Sequence, residues 1–234
     1  MRTSTAKTSD ILRGHRGFSL IEILVALLLV SLVFISFPTN EDSRRHQDLQ
    51  QAMEDVDRAV RFAANEAILR NSVVRLRLDL DKDPVSYVVE YGPPGDMVLP
   101  AALNEDKASL ADKEKEKKQV TALDQQFTKV EEFADVTREF SPEVIVPAVA
   151  TSWQKRLQKI GMASVFFYPT GERDGALVFF ATQDELAILE VEPFQDRTRS
   201  HFRPFPRTEG GNVADTPGLL DTEVEKFYRE WHKQ

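Results

Sequence analysis

The sequence predicts an α+β protein in which a long N-terminal helix, its first half spanning a membrane, packs on an antiparallel β-sheet head. Three observations support this. An almost wholly apolar run occupies residues 18–37, an apolar stripe at helical spacing continues to residue 67, and short segments with strand patterns lie between residues 73 and 191. The helical part therefore precedes the strands, which is the order expected for this class.

The overall composition allows a folded core and excludes several kinds of site. The chain has 234 residues, of which 41% are hydrophobic, so one domain with additional segments is expected. Its formal net charge of -8 disfavours general binding to nucleic acid, because phosphate backbones are repelled. The sequence contains no cysteine, which excludes disulfides, thiolate nucleophiles and cysteine-ligated zinc.

The first element is the run FSLIEILVALLLVSLVFISF at 18–37. As a helix rising ~1.5 Å per residue it would extend roughly 30 Å, the thickness of a bilayer's hydrocarbon core. Basic residues outnumber acidic ones before the run, so the N-terminus is expected in the cytoplasm and the rest across the membrane. A secretory signal peptide is disfavoured because no small-x-small cleavage site follows.

Glu22 is the only ionisable side chain in this run. A lone carboxylate inside a bilayer costs on the order of a few kcal/mol. The run contains no lysine, arginine or histidine that could neutralise it. A plain membrane anchor leaves this residue unexplained, so we expect Glu22 to find its partner outside its own helix.

The sequence RGFSLIE at 16–22 resembles the processing site of type IV pilins and type II secretion pseudopilins. The resemblance implies a pilin-like fold and a leader at 1–17 that a membrane prepilin peptidase removes by cutting between Gly17 and Phe18. It also implies methylation of the new N-terminus at Phe18. In this family the glutamate corresponding to Glu22 pairs with the N-terminal ammonium of a neighbouring subunit, so Glu22 and Phe18 are the expected assembly residues.

The second element is an amphipathic helix predicted over 38–72, on the periplasmic side. Apolar residues recur there at spacings of four and three, namely Leu49, Met53, Val56, Val60, Ala63 and Ala67. Asn71 is a suitable residue to end the helix. The stripe predicts a face that packs against the head.

A β-rich head is predicted over 73–194. Alternating residues at 73–80 and a second strand at 85–91 form a hairpin, and further strands are predicted at 165–168, 176–180 and 186–191. Two segments depart from this pattern: a charged insertion at about 101–142, read as an inserted helix or a flexible loop, and a C-terminal extension at 195–234. The extension includes a short helix that opens at Asp221 or Thr222 and carries Phe227, Tyr228 and Trp231.

The stretches FAANEAILRNSVVRLRLD and FFYPTGERDGALVFF are similar to the minor pseudopilin of the H type and its type IV pilus relatives. This similarity implies a structural subunit at or near the tip of the type II secretion pseudopilus, which supports export of folded proteins. The implied partners are other major and minor pseudopilins, the prepilin peptidase and methyltransferase, and the inner-membrane assembly platform. The implied location is the bacterial inner membrane, crossed once, with the head in the periplasm.

Two other functions fit the same elements. One is a minor pilin of a type IV pilus, including a DNA-binding competence pilus. The other is a membrane-anchored periplasmic binding module that never assembles. An enzyme is disfavoured because the four histidines are dispersed and no catalytic triad spacing occurs, and no cofactor is expected.

Two further patterns resemble binding sites, and the first is a possible calcium loop. Asp79, Asp81, Asp83 and Glu90 fall at ligand positions of a calcium loop, but Pro84 occupies the place of the required glycine, so a plain turn is favoured and no metal site is predicted.

Arg197, Arg199 and Arg203 lie in the segment QDRTRSHFRPFPR at 195–207 together with Phe202 and Phe205, and arginines next to aromatic rings can bind single-stranded nucleic acid. Removal of a leader in which bases outnumber acids makes the chain still more acidic, so a surface loop or subunit contact is favoured over nucleic acid.

Overall fold

The computed structural model describes residues 19–36, 41–94, 109–130, 138–154, 156–195, 197–206 and 218–233. The chain divides into two compact units, one ending at Asn40 and one beginning at Glu41, and we call the second unit the head. The first unit contains helix α1 (Leu20–Ser36). The head contains helices and antiparallel strands, which confirms the predicted α+β class and is compatible with a pilin-like fold.

Helices and strands are interspersed along the chain of the head. In chain order they are α2 (Glu41–Arg70), β1 (Ser72–Asp79), β2 (Ser86–Pro94), α3 (Leu110–Asp124), β3 (Thr128–Lys129), β4 (Arg138–Glu139), β5 (Val149–Thr151), β6 (Leu157–Gln158), β7 (Met162–Phe167), β8 (Ala176–Ala181), β9 (Glu185–Val191), β10 (Arg199–Pro204) and α4 (Leu219–Trp231).

Helix α1 begins with a side-chain cap. The hydroxyl oxygen of Ser19 accepts the backbone N–H of Glu22 at 3.2 Å, and the Ser19 carbonyl oxygen accepts that of Ile23 at the same distance. No helix in the described part of the chain is both long and apolar enough to cross a membrane. The two ends of the predicted spanning run, Phe18 and Phe37, lie outside the described residues.

The apolar stripe of α2 is confirmed. All six residues predicted to form it are at most 3% exposed. The helix ends where Asn71 adopts a positive φ of 50°, a conformation that asparagine tolerates better than most residues. The chain then enters β1 without a loop.

The head contains two sheets instead of a single one. In the first, β1 lies between β2 and β7, while β3 and β4 both pair with β2. Leu76 of β1 lies opposite Val89 and Val165, so alternate residues of β1 face α2. The strand order of the second sheet is β10-β9-β8-β5-β6.

Helix α2 packs against one face of each sheet, and this contact forms the main core. The opposite face of the second sheet is covered by α4 through Phe227, Tyr228 and Trp231. The opposite face of the first sheet carries Val73 and Phe166, which pack with Leu123 of α3. Each sheet is therefore buried on both faces over part of its area, which favours the continuous apolar runs of β8 and β9.

The segments described above as an insertion and an extension both take part in the head. Within 101–142, residues 110–124 form α3, which is the helical alternative, and its capping box joins Ser109 to Asp112. The predicted C-terminal extension at 195–234 contributes β10, which pairs with β9 from Arg199–Glu190 to Pro204–Glu185. Helix α4 begins at Leu219, just before the predicted start.

Asp174 is buried in the loop before β8 and makes the stability of the head depend on pH. Its carboxylate accepts the backbone N–H of Phe166 at 3.1 Å and faces the Tyr168 hydroxyl at 3.4 Å. Burial raises the pKa of Asp174 from 3.8 to about 6, although both hydrogen bonds act to lower it. Between these two values the folded state binds more protons than the unfolded state, so the contribution of Asp174 to stability falls as pH rises.

We predict that Asp174→Asn stabilises the head by about 1–3 kcal/mol at pH 7.5 and by little at pH 4. The measurement is urea unfolding of the full-length chain in detergent micelles at both pH values, with tryptophan fluorescence as the signal. Glu143→Gln, at an exposed position, is the control and should leave the pH dependence unchanged. Equal pH dependence in Asp174→Asn and the parent would contradict the prediction.

Candidate functional site

Glu22 lies in the first turn of α1. The capping bonds from Ser19 hold its backbone, and a carboxylate in a first turn interacts favourably with the helix dipole. Within the part of the chain that the structure describes, no residue forms an ion pair or hydrogen bond with the Glu22 carboxylate. In the single chain this carboxylate is exposed.

The surface around Glu22 is apolar on every side of the helix. Ten large apolar side chains of α1 are at least 50% exposed: Leu20, Ile21, Ile23, Leu24, Val25, Leu27, Leu28, Leu29, Val30 and Leu32. A helix of this kind is stable only when lipid or protein covers its whole circumference. Once covered, the carboxylate of Glu22 needs a cation, since a buried unpaired charge is strongly unfavourable.

The residues expected to supply that cation are not described by the structure. Gly17 and Phe18, which form the predicted cleavage site, lie outside the described residues. The cleavage, the methylation of Phe18 and its pairing with Glu22 in another subunit therefore stay predictions.

The structure places Arg199 and Arg203 on β10, an edge strand, and Arg197 just before it. Carboxylates lie among these bases, since Arg199 Nε pairs with Glu192 at 2.7 Å. The aromatic residues near them also pack against the head. Phe205 is only 9% exposed, and the ring of Phe202 contacts His46 of α2. The three arginines thus share one edge of the head, but the rings beside them contribute to its packing.

The acidic residues that resemble a calcium loop in sequence form hydrogen bonds with different partners. Glu90 is buried and accepts a hydrogen bond from Arg75 at 2.6 Å. Asp81 accepts the backbone N–H of Gly161 at 2.8 Å. Among the residues that the structure describes, no group of three histidine or carboxylate side chains could hold a metal ion.

A buried charge cluster lies on the outer face of the first sheet, and the sequence does not predict it. Arg75 is 1% exposed, and besides Glu90 it contacts Asp124 of α3 through Nη1 at 2.5 Å. Its guanidinium also lies 3.9 Å from the centre of the Phe127 ring. The only signal was the alternation in VVRLRLDL, which by itself indicates a solvent-facing arginine.

Comparison with known proteins identifies the N-terminal segment. Residues 12–37 match the family model of the prokaryotic N-terminal methylation motif. The motif indicates a type IV pilin-like precursor of the pilin or pseudopilin type, and it implies processing by a prepilin peptidase and assembly with other pilins. No curated protein and no solved structure shows significant similarity to this chain.

Proposed function

We propose that this chain is a minor pseudopilin, a structural subunit at or near the tip of the type II secretion pseudopilus that supports export of folded proteins across the outer membrane. The observation that carries the proposal is the methylation motif at 12–37, which contains helix α1, a largely apolar helix whose only charged residue is Glu22. A soluble monomer has no use for such a helix, whereas a subunit that moves from lipid into a filament does.

In the proposed mechanism, the peptidase removes residues 1–17 and leaves a new ammonium at Phe18. Before assembly, α1 anchors the subunit in the inner membrane, with the N-terminus in the cytoplasm and the head in the periplasm. The assembly platform then brings subunits together, and the carboxylate of Glu22 in one subunit meets the Phe18 ammonium of another. Because opposite charges attract strongly in a medium of low dielectric constant, this contact selects one register between subunits.

The internal packing of the head supports separate roles for the head, which folds on its own core, and for α1, which contacts neighbouring subunits. The apolar stripe of α2 is buried within the head, against β1, β8 and β9. The head therefore completes its own core, and α1 is left as the apolar surface available for neighbours. The proposed partners are other major and minor pseudopilins.

A second candidate is a minor pilin of a type IV pilus, including a competence pilus. The observation in its favour is the exposed edge strand β10, on which Arg203 accompanies Arg199. A module that is anchored but never assembles is the third candidate, and it gives Glu22 no role.

Deletion of the gene from its host separates these three functions. We expect export of secreted proteins to fall at least tenfold, while pili and DNA uptake are unchanged, because a missing tip subunit blocks filament initiation. Complementation with the intact chain is the control and should restore export. Normal export with lost pili or lost DNA uptake would favour the type IV pilus, and no change in any of them would favour the module that does not assemble.

A further inference from the structure

Strand β10 forms an open edge of the second sheet. It is the terminal strand of that sheet and runs antiparallel to β9. Directly after the strand, the backbone N–H of Phe205 donates to the carbonyl oxygen of Asp184 at 2.8 Å. Backbone groups alternate in direction along an antiparallel strand, so those of Ser200, Phe202 and Pro204 point away from β9.

These outward backbone groups are available to another chain. Ser200 and Phe202 are both exposed, and among the described residues neither backbone N–H has an acceptor. Pro204 has no N–H and offers its carbonyl oxygen alone. The edge therefore presents two donors and three acceptors, which an added strand can bind by extending the sheet.

The side chains of β10 alternate between the two faces of the sheet. Phe202 is 39% exposed and lies on the side of α2, where its ring contacts His46 at 5.5 Å. His201 lies on the side of α4, where its ring contacts Phe227 at 5.1 Å. Arg203 shares the α4 side, because residues two apart in a strand face the same way. An added strand would meet an apolar ring on one side and an arginine on the other.

The carboxylates around β10 are paired and shielded. Their pairs with bases are Asp57–Arg61, Asp184–Arg45, Glu185–His46, Glu190–His201 and Glu192–Arg199. The side chains of these acids are only 10% to 16% exposed. With neutral histidines, these five acids balance the five arginines of the region, so net charge does not select a partner.

The position of the charges does select one. Arg197 and Arg203 are exposed and form no ion pair with a described residue. The accessible charges at this edge are therefore positive, while the negative ones are covered. An acidic side chain placed opposite Arg203 on an added strand would gain a favourable cross-strand pair.

A second copy of this chain does not fit the edge. Two antiparallel β10 strands would place the bases of one strand opposite those of the other, which destabilises a sheet. The described strands β3, β4 and β6 have only two residues each, too few to pair along β10. On the outer edge of β7, the side chains of Trp153 and Asp174 bind the backbone of Ser164 and Phe166. The occupant is therefore a different chain.

We propose that the outer edge of β10 binds an extended segment of a different protein chain, in which acidic residues alternate with apolar ones. The segment adds a sixth strand to the second sheet through the backbone groups of Ser200 and Phe202. Its acidic side chains face Arg203, and its apolar side chains pack beside the Phe202 ring. The interaction uses residues of the head alone, so it does not depend on pairing through Glu22.

The test is fluorescence anisotropy with the full-length chain in detergent micelles. The probe is a labelled heptapeptide of alternating valine and glutamate, which has the proposed pattern and can extend along the whole of β10. We expect it to bind at least tenfold more tightly than the same peptide with lysine in place of glutamate, because lysine would lie opposite Arg203.

Ser200→Pro tests the backbone contact. It removes one outward N–H and leaves the hydrogen bonds to β9 in place, as proline already does at position 204. We expect the acidic peptide to bind roughly tenfold more weakly, since a carbonyl oxygen of the peptide loses its donor. Ser200→Ala keeps the N–H and is the matched control, with an expected change below twofold.

Arg203→Glu tests the charge contact. It places a carboxylate opposite the acidic residues of the peptide, so the affinity should fall at least tenfold. Lys129→Glu makes the same change of charge at an exposed position of β3, in the other sheet, and should change the affinity less than twofold. Urea unfolding curves establish which variants are folded, and if Ser200→Pro is not, the comparison of these two variants decides.

Several results would overturn the proposal. They are no binding of the acidic peptide, equal binding of the lysine peptide, and unchanged binding by a folded Ser200→Pro or Arg203→Glu variant. A labelled oligothymidine that binds more tightly than the acidic peptide, and more weakly to Arg203→Glu, would assign the edge to single-stranded nucleic acid instead. Self-association that Ser200→Pro abolishes would assign it to a second copy.

Discussion

Glu22→Gln is expected to abolish incorporation of this protein into filaments. Glutamine has nearly the same shape as glutamate but carries no charge, so the ammonium of the neighbouring Phe18 would be buried without a partner. Removing one member of a buried ion pair costs about 3–5 kcal/mol. At about 1.4 kcal/mol for each factor of ten, incorporation should fall roughly a hundredfold to a few thousandfold.

The measurement is cross-linking of the variant to other pseudopilins in a strain that lacks the chromosomal copy. Ser31→Ala is the matched control, because Ser31 is another polar residue of α1 and lies outside the predicted processing site RGFSLIE at 16–22. The control should cross-link as the parent does. Undiminished cross-linking of Glu22→Gln, at equal protein level, would remove the reason for assigning a pairing role to this carboxylate.

The loss should be confined to assembly and should leave the head folded. Residues of α2 and of both sheets form the main core of the head. The Glu22 carboxylate forms no hydrogen bond or ion pair with a described residue. The urea unfolding curve of Glu22→Gln should therefore coincide with that of the parent, which separates failed pairing from failed folding.

The sequence predicted the elements whose side chains follow one simple period. The stripe of α2 repeats at helical spacing, and its residues are buried as expected. Strands β1, β8 and β9 were found within a residue or two of their predicted bounds, because β1 alternates apolar and charged residues while β8 and β9 are short, largely apolar runs. Local pattern was sufficient in each of these cases.

The sequence did not reveal how distant segments cover the two sheets. The alternation of β1 considered alone predicts that Arg75 faces solvent, but α3 brings Asp124 over it from far along the chain. Likewise β10 is rich in charged residues, which is typical of an edge strand and gives little sign of pairing. Long-range packing determines both the burial of Arg75 and the pairing of β10, and a local periodic pattern does not predict such packing.

Removal of the leader is the second large expected effect. Cleavage between Gly17 and Phe18 removes residues 1–17 and creates the N-terminal ammonium with which Glu22 is expected to pair. Glycine has no Cβ, which allows a close approach between its backbone and another protein surface. Gly17→Leu is therefore expected to block cleavage, and the uncleaved chain should not assemble, since its Phe18 nitrogen remains in a neutral peptide bond.

The most direct measurement is the mass of the N-terminal peptide from the membrane fraction of a host with and without its prepilin peptidase. With the peptidase, the chain should begin at Phe18 and be heavier by one methyl group. Without it, the chain should retain residues 1–17. A chain that keeps these residues in the presence of active peptidase, or that begins at any residue other than Phe18, would contradict assembly through Phe18 and Glu22.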